Sequence, residues 1–558
     1  MALIYLRFQM NIKSQDVIQT TILLIGIDSA IIYANIIEYE NFHNILNILA
    51  KLLFALSIFI FFQLVFKSTR ITHLTLFAIY FPSYTAEVFN LSILNQYISF
   101  DNLKAVYNTN LTEVLAFIGD LLSNLWLPIF LILTLTINTI YVSKEKIIIT
   151  NCKKYFILIA IGLVLTFVHQ FPKTIDSPEF FGKRNLVSST IDRILKTPPI
   201  NFFYRSYQVF VNVNRLNKVK AQRDNFTFGV SNSTDKTPSK IILIVGEGMR
   251  NSNWSINGYK KLTNPHLSTQ SNLISFKQHY SNANNTYNSI PLIITRATPQ
   301  NQPIAYSEKS IISLFKEAGF NTVWISNQDI FYLDNKEEPD STILTYKLKD
   351  KTDLAVLSPF KNILSINKEK KLFVLINLVG NHGTIPSPFN NQFKPNSSLA
   401  HIEILPKNKE KLINDYDNKI FFQDFIISKI INITQETDES SVILFTADHG
   451  LNLFDDRESS VFGYGSDFPT KYELHIPLFI WCSDLYIANH KNKYNNLIKN
   501  TPLYSDNDNI IYTLSDLSSI NFKEFDSSKS LSNENYISKP VIPIYINQTY
   551  ILFDPRNH

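Results

Sequence analysis

The sequence is poor in cysteine, with Cys152 and Cys482 the only two among 558 residues. Because they fall in different halves of the chain, we expect neither an intrachain disulfide nor a zinc cluster held by cysteines. Charge is scarce too, since Asp, Glu, Lys and Arg make up 18% of the residues and the formal net charge is +5. The basic residues form no dense block, which argues against nucleic acid as a partner.

Internal repeats and low-complexity tracts are also absent, and the apolar residues are unevenly distributed. The chain is longer than the ~250–300 residues at which a single hydrophobic core stops growing, so we expect more than one domain. Residues 1–170 are far more apolar than the rest, which predicts a membrane half and a soluble half. The predicted domains are a transmembrane domain at 1–170, a connector at 171–237 and a soluble domain at 238–558.

Five apolar stretches precede residue 171, and most approach the ~20 residues needed to span hydrocarbon. No small-residue cleavage pattern follows the first stretch, so we expect an uncleaved span rather than a signal peptide. Lys and Arg lie before the first stretch, between the second and third, and between the fourth and fifth, which predicts that these segments are cytoplasmic. An odd number of spans would then put everything after 171 on the outer side. The stretches are 17–36, 45–66, 71–94, 116–142 and 155–170.

Two ionisable residues, Asp28 and Glu87, fall within these stretches. A charge at membrane depth is costly, which makes both residues functional candidates; a structural or snorkelling role is the alternative.

The connector contains a segment at 201–216 that mixes aromatic residues with Arg205 and Arg215. This pattern is typical of a helix lying at a membrane surface, but a helix packed against the soluble domain accounts for it equally well. The run at 226–240 is expected to be a polar hinge.

Strands and helices alternate after residue 240, which indicates a mostly parallel sheet covered by helices on both faces. We predict strands at 240–246, 320–326, 371–379, 441–447 and 476–481, with helices near 308–318 and at 408–434.

Two of these strands run directly into polar residues. KIILIVG leads into Glu247, and SVILFTA leads into Asp448 and His449. Buried parallel strands deliver such residues to the carboxyl edge of the sheet, where open α/β sheets place their ligands. We therefore predict a divalent metal at this edge. A turn or a helix cap is the alternative for any one carboxylate, but the pair of strands favours the metal.

A hydroxyl group is expected nearby, in NNTYNSIPLIITRATP at 284–299. Pro291 suits the first turn of a helix, so Thr286–Ser289 would form an N-terminus that favours phosphate through its dipole and backbone N–H groups. The alternative is that Thr286 or Ser289 merely caps the helix. Beside a metal, however, a hydroxyl is activated as a nucleophile.

A further predicted strand ends at Asn381 and His382. His382 either forms a hydrogen bond in a turn or has a phosphate-facing or proton-transferring role. Oxygen ligands from Glu247, Thr286 and Asp448 with one imidazole from His449 suit four-coordinate Zn²⁺; Mn²⁺ and Mg²⁺ are the alternatives.

Four strings together resemble a known family: VGEGMRNSNWSINGYKKLTNPHL, NTYNSIPLIITRATP, NDYDNKIFFQDFI and TADHG. They are similar to the phosphoethanolamine transferases of Gram-negative inner membranes. Those enzymes belong to the alkaline phosphatase and sulfatase superfamily and include the mobile colistin-resistance enzymes. The resemblance covers nearly the whole chain. It implies a multi-pass inner-membrane protein, with a five-helix transmembrane bundle followed by a periplasmic α/β sulfatase-like domain, and we expect a monomer.

The resemblance also implies roles for individual residues. Glu247, Asp448 and His449 would bind Zn²⁺, and Thr286 would be the nucleophile that becomes modified by phosphoethanolamine. His382 matches the family's histidine after the central strand. Substrate contacts are expected from Thr109 and Glu113, which match a Thr-x-x-x-Glu pattern for the donor headgroup, and from Asn285, His382 and Tyr464.

The sequence departs from the family at several positions. In FGYGS, Tyr464 stands where the family has a histidine, and His475 is a candidate substitute for it. Ala105 replaces an asparagine four residues before Thr109, and the disulfides of the colistin-resistance branch are absent. These departures bear on the acceptor and on a second metal, and leave the nucleophile and the first metal intact.

The expected reaction is a ping-pong transfer. Thr286 would attack the phosphate of phosphatidylethanolamine, and an envelope acceptor such as lipid A or the lipopolysaccharide core would then take the group. One alternative is phosphoglycerol transfer or phosphodiester cleavage by another superfamily member. A sulfatase is disfavoured because neither cysteine lies in a Cys-x-Pro-x-Arg setting. The non-enzymatic alternative is a degenerate membrane protein, to which Tyr464 gives weight.

Overall fold

The computed structural model divides the chain into two compact units, Met1–Phe210 and Val211–His558. The residues that it describes are 200–220, 222–231, 237–328, 339–347, 352–381, 405–455, 462–466 and 469–557, with 393, 402 and scattered positions between 61 and 108.

In the first unit, the predicted spans and Asp28 lie largely or wholly outside the described residues. Glu87 is buried, and its carboxylate accepts hydrogen bonds from the backbone N–H of Ile98 at 2.9 Å and from Asn201 Nδ2 at 2.5 Å. These contacts give Glu87 a structural role. Among the described helices, none is both long enough and apolar enough to cross a membrane.

Thirteen strands are seen in the described part of the chain. They are β1 (Lys240–Gly246), β2 (Leu273–Phe276), β3 (Gln278–Tyr280), β4 (Asn321–Ser326), β5 (Ser341–Leu344), β6 (Leu372–Asn377), β7 (Ser441–Ala447), β8 (Asn452–Leu453), β9 (Phe462–Gly463), β10 (Leu478–Cys482), β11 (Tyr504–Asp506), β12 (Ile542–Ile546) and β13 (Thr549–Phe553).

The α-helices of the same residues are α1 (Phe100–Asn108), α2 (Ile200–Lys220), α3 (Thr286–Ile294), α4 (Ile304–Ser307), α5 (Ile311–Glu317), α6 (Leu357–Ile366), α7 (Lys409–Gln435), α8 (Lys471–Leu474), α9 (Asp484–Asn489), α10 (Lys491–Asn500) and α11 (Asn509–Leu517).

The second unit is built on a seven-stranded sheet with the order β2-β10-β7-β1-β6-β4-β5. Only β10 runs in the direction opposite to the other six strands, so the prediction of a mostly parallel sheet is confirmed. The five predicted strands and two predicted helices are all present, with ends within three residues of those expected. The central position of β1, with β6 on one side and β7 on the other, brings three strand ends together at one edge.

The core lies on both faces of this sheet because side chains alternate along each strand. Ile241, Leu243 and Val245 of β1 pack with residues of α3, α5 and α11. Ile242 and Ile244 face the opposite side and pack with residues of α6 and α7. A strand covered on both faces reads as a continuous apolar run, which is why β1 is recognisable in the sequence.

The predicted polar hinge at 226–240 is wrong for its first part. Phe228 is buried, makes edge-to-face contacts with Phe226 and Phe522, and donates its backbone N–H to the Glu317 carboxylate at 3.0 Å. Ser231 forms a β-bridge with Asn521. Burial of the two aromatic rings outweighs the polar character of the rest of the segment, so residues 226–231 belong to the folded unit.

The predicted helix at 201–216 is present as α2, and three of its aromatic residues are exposed: Phe203 is 41%, Tyr207 is 65% and Phe210 is 64% accessible. Asn201, Arg205 and Asn212 are buried instead. An exposed aromatic face suits a membrane surface, and that location stays a prediction.

His279 in β3 makes folding stability sensitive to acid. The side chain is completely buried, with Nδ1 2.9 Å from Ser505 Oγ, and burial, with repulsion from His475, lowers its pKa to about 3. The unfolded chain binds this proton near pH 6.5 and the folded chain does not. Stability is therefore complete above pH 6.5 and is lost as the pH falls toward 3, by up to ~1.4 kcal/mol per pH unit.

We expect His279→Asn to flatten the decline of the thermal unfolding midpoint between pH 6.5 and 4. His266→Asn, which removes an exposed imidazole whose pKa is also lowered by partial burial and by repulsion from Lys429, is the control and should flatten the decline less. An equally steep decline in the His279 variant would contradict the assignment.

Candidate active site

The carboxyl ends of β1 and β7 bring Glu247, Asp448 and His449 together. The two strands are paired in parallel with Gly246 opposite Ala447, so the residues that follow each strand emerge side by side. One ligand atom of each side chain lies within 4.8 Å of the others, and all three side chains are buried. His449 Nε2 is 3.2 Å from Glu247 Oε1.

Thr286 completes this cluster from the first residue of α3. Asn285 caps the helix, since its side chain accepts a hydrogen bond from the backbone N–H of Asn288 at 3.1 Å. The Thr286 hydroxyl is therefore not the helix cap. Its Oγ1 lies 3.2 Å and 3.0 Å from the two carboxylate oxygens of Glu247, and 3.3 Å from His449 Nε2. Thr286 is half-buried, whereas Glu247, Asp448 and His449 are buried.

The expectation that Pro291 lies in the first turn of the helix is wrong. The helix begins at Thr286, and Pro291 lies in its second turn. The reason is that the Asn285 cap starts the helix about one turn before the proline. The expected N-terminus in the region 286–289 is confirmed.

Burial and mutual repulsion control the protonation of this cluster. Burial, with repulsion from Glu247, raises the pKa of Asp448. Burial alone would lower the pKa of His449, but attraction to Asp448 and a hydrogen bond to Glu247 raise it to about 9. Two adjoining buried carboxylates thus attract positive charge, which a divalent cation would supply.

The donor groups fit such a cation. Asp448 Oδ1 accepts hydrogen bonds from the backbone N–H groups of Gly248 and His449, whereas the buried Oδ2 has no hydrogen-bond partner among the described residues. His449 Nδ1 is 2.7 Å from the carbonyl oxygen of Gly450, which sets Nδ1 as the donor and leaves Nε2 facing the carboxylates. Two carboxylates, an imidazole and a hydroxyl form a set that suits zinc.

Residues 239–520, which make up just over half of the chain, match the family described as "Sulfatase". The chain belongs to the sulfatase family. It is 24% identical over 474 residues to the phosphoethanolamine transferase EptC of Escherichia coli O18:K1:H7, a match that covers 80% of this chain and 79% of that protein. The predicted resemblance to phosphoethanolamine transferases is therefore confirmed.

Two solved structures show the same fold. One is the integral membrane lipooligosaccharide phosphoethanolamine transferase A (EptA) of Neisseria meningitidis, with a TM-score of 0.70, 18% identity, and coverage of 93% of this chain and 98% of that one. The other is the C-terminal periplasmic domain of EptC from E. coli in complex with Zn, with a TM-score of 0.51, 21% identity, and coverage of 58% and 96%. The second unit of this sulfatase-family protein therefore has the fold that the strand pattern predicted.

Tyr464 lies directly against the candidate metal ligand His449, with ring centroids 4.2 Å apart and an interplanar angle of 35°. His475 does not take the place of the missing histidine, because its Nε2 contacts the carbonyl oxygen of Lys277 at 2.8 Å and its ring stacks on Tyr280. The predicted site residues His382, Thr109 and Glu113 lie outside the described residues.

One side chain beside the cluster, and one buried carboxylate that bonds to the segment after β6, were not identified from the sequence. Gln328, which follows β4, places Nε2 2.5 Å from the Leu378 carbonyl and 3.5 Å from Glu247 Oε2. Its position after a strand was an available signal. Asp353 is buried, and its carboxylate accepts hydrogen bonds from Asn327 Nδ2, Gln423 Nε2 and the backbone N–H groups of Val379 and Gly380. Those partners are 26 to 70 residues away, so no local pattern reveals them.

Position 450 requires glycine, because the backbone of Tyr472 passes too close to it to leave room for a side chain. A Cβ atom at this position would lie 2.1 Å from the carbonyl oxygen of Tyr472. We expect Gly450→Ala to push apart the His449 turn and α8, and to lower the free energy of unfolding by ~2–4 kcal/mol. Gly246→Ala is the control, because the nearest atom to its Cβ belongs to the flexible Met249 side chain. Thermal unfolding of both variants checks this; equal losses would count against it.

Proposed function

We propose that this protein transfers phosphoethanolamine from phosphatidylethanolamine to a cell-envelope acceptor, with lipid A or the lipopolysaccharide core favoured. The observation that carries the proposal is the Thr286 hydroxyl, which lies at a helix N-terminus and within 3.3 Å of both Glu247 and His449. The similarity to proteins named phosphoethanolamine transferases, one of them named a lipooligosaccharide phosphoethanolamine transferase, supports the group transferred and the class of acceptor.

The proposed cofactor is Zn²⁺, with Mn²⁺ or Mg²⁺ as alternatives. Glu247, Asp448, His449 and Thr286 would hold it, and the zinc complex of the E. coli EptC domain supports this choice. When bound, the ion would lower the pKa of the Thr286 hydroxyl and neutralise charge on the phosphoryl group.

The reaction has two halves. In the first, Thr286 Oγ1 attacks the phosphorus of phosphatidylethanolamine, the bond to the diacylglycerol oxygen breaks, and the proton lost by Thr286 ends on diacylglycerol. In the second, an acceptor oxygen attacks the same phosphorus, the bond to Thr286 breaks, and the hydroxyl regains a proton from the acceptor. The N-terminus of α3 favours the negative charge of the transferred group in both halves.

Other residues are proposed to bind the substrates. Asn285 is mostly buried, and its Nδ2 has no hydrogen-bond partner among the described residues, so it is available to a phosphoryl oxygen. Tyr464, beside His449, would line the pocket for the headgroup or the acceptor. His382 would transfer a proton or contact phosphate, and Thr109 and Glu113 would hold the donor headgroup.

The proposed location is the bacterial inner membrane. Residues 1–170 would form five transmembrane helices, 171–237 a connector with α2 at the membrane surface, and 238–558 a periplasmic catalytic domain of a monomeric protein. Similarity to an integral membrane protein over 93% of this chain supports this arrangement. A membrane anchor also suits a lipid donor, which a soluble enzyme would have to extract from the bilayer.

Mass spectrometry of the peptide containing Thr286 tests the proposal. After expression of the full chain in a bacterial inner membrane, we expect an adduct of ~123 Da on Thr286, the mass added by phosphoethanolamine in the two-step reaction. An adduct with the mass of phosphoglycerol would instead favour a phosphoglycerol transferase of the same superfamily. Absence of any adduct, also in a variant slowed in the second half-reaction, would favour the non-enzymatic binding protein.

A further inference from the structure

Glu473 is a completely buried carboxylate that belongs neither to the metal ligands nor to the nucleophile. It is the third residue of α8 and takes part in a capping box, in which its Oε2 accepts the backbone N–H of Thr470 at 2.8 Å. A capping box alone needs only this bond and the reciprocal one from the threonine side chain. The other contacts of Glu473 therefore call for a further explanation.

The Glu473 side chain joins the segment of Tyr464 to the segment of Thr286. Its Oε1 accepts hydrogen bonds from Asn284 Nδ2 at 3.0 Å and from the backbone N–H of Ser466 at 3.3 Å, and Ser466 Oγ lies 3.0 Å from both carboxylate oxygens. Asn284 Nδ2 also contacts the Ser466 carbonyl at 2.9 Å, and the backbone N–H of Gly465 donates to the Asn284 carbonyl at 2.9 Å. Asn284 lies two residues before Thr286.

The Glu473 backbone reaches the third segment of the site. Its carbonyl oxygen accepts the N–H of Gly450 at 2.7 Å, and the Gly450 carbonyl in turn contacts His449 Nδ1 at 2.7 Å. Glu473 thus contacts three segments of the site. They are the loop before Thr286, through Asn284; the turn that follows His449, through Gly450; and the segment that follows Tyr464, through Ser466. These contacts bridge 189 positions of sequence between Asn284 and Glu473.

We propose that Glu473 is a positioning residue, which holds Thr286, His449 and Tyr464 in the arrangement that group transfer requires. This inference rests on the proposed function.

Every contact to the Glu473 carboxylate comes from an N–H or O–H donor, so both oxygens must accept. A glutamine of the same size accepts on one side only and sets an NH₂ group against a donor on the other. A shift of about 1 Å in a nucleophile lowers rates by roughly 10²-fold, so the loss of these bonds should act on the chemical step.

The test compares Glu473→Gln with Asp424→Asn in the full-length protein. Asp424 is a matched control because it is also a buried carboxylate, and it accepts the backbone N–H groups of His266 and Leu267 rather than any contact from the site. Single-turnover formation of the Thr286 adduct, KM for phosphatidylethanolamine and zinc content are measured for each. We expect Glu473→Gln to slow adduct formation ~10- to 100-fold, with KM within ~3-fold of wild type and zinc retained. Asp424→Asn should lower the unfolding midpoint without slowing adduct formation.

Several outcomes would overturn the inference. Adduct formation at the wild-type rate in Glu473→Gln is one, and equal slowing in Asp424→Asn is another. If Glu473→Gln does not fold, Ser466→Ala, which removes only the hydroxyl contacts, should still slow adduct formation ~3- to 10-fold, and an unchanged rate would contradict the role.

Amide hydrogen exchange separates this inference from the proposed function. If wild-type protein forms no adduct, the proposed function fails, and exchange still reports on positioning. Glu473→Gln should lose protection at Gly465 and Gly450, whose N–H groups donate to Asn284 and Glu473, while Asp424→Asn keeps it. Unchanged protection at both glycines would overturn the positioning role.

Discussion

Thr286→Ala is expected to abolish transfer, with a fall in kcat of at least ~10³-fold. Thr286 is the one residue of the cluster that is not fully buried, and its hydroxyl lies within 3.3 Å of Glu247 and His449. Removing it leaves no atom that can carry the phosphoryl group. Lipid and lipopolysaccharide mass profiles, recorded with and without the variant, measure the loss and identify the acceptor at the same time.

The helix itself supplies the controls for this prediction. Ser289→Ala removes a hydroxyl one turn further along α3 that contacts the Ala283 carbonyl and Ser281 Oγ, not the cluster, so activity should stay within ~3-fold of wild type. Thr286→Ser keeps a hydroxyl at the same place and should retain measurable transfer. Activity above a tenth of wild type in Thr286→Ala would remove Thr286 from the mechanism.

Removal of the proposed metal is expected to have an effect of similar size. Glu247 and Asp448 are two adjoining buried carboxylates, and burial together with repulsion from Glu247 raises the pKa of Asp448, so a cation at this place would relieve an unfavourable concentration of negative charge. Treatment with a chelator should reduce transfer to background, and Zn²⁺ should restore it. Bound metal should also stabilise the fold, by ~2.7 kcal/mol at a free concentration one hundred times Kd.

Asp448→Asn tests the same site by substitution. Asparagine keeps one carbonyl oxygen for the N–H groups of Gly248 and His449 but puts an NH₂ group in place of Oδ2, which lies 3.5 Å from His449 Nε2 and has no hydrogen-bond partner among the described residues. Metal affinity should therefore fall by ~10²-fold or more. Asp424→Asn removes a buried carboxylate away from the cluster and should leave affinity unchanged. Full activity in chelator, or wild-type zinc content in Asp448→Asn, would contradict a metal centre at this edge.

Much of this fold was predictable because its strands are buried on both faces. KIILIVG and SVILFTA are continuous apolar runs, and the residues that follow them are Glu247, Asp448 and His449. Parallel pairing requires that such strand ends meet at one edge, so the proximity of these side chains followed from the pattern. Local signals failed where long-range packing decided the outcome. Phe226 and Phe228 lie in a polar segment yet pack on the core, and the Asn285 cap moved the helix start away from Pro291.

The sequence by itself determined the class of the sheet, the two strand ends that carry the carboxylates and histidine, and the hydroxyl segment. These features depend on short-range periodicity and on residue type, which are local properties of a chain. Only the tertiary structure decided that Thr286 contacts Glu247 across 39 residues, that Tyr464 lies against His449, that His475 is turned toward Lys277, and that Glu473 joins three segments of the site. Such contacts arise from the packing of distant segments, so their geometry does not follow from the local periodicity or residue type of any one segment.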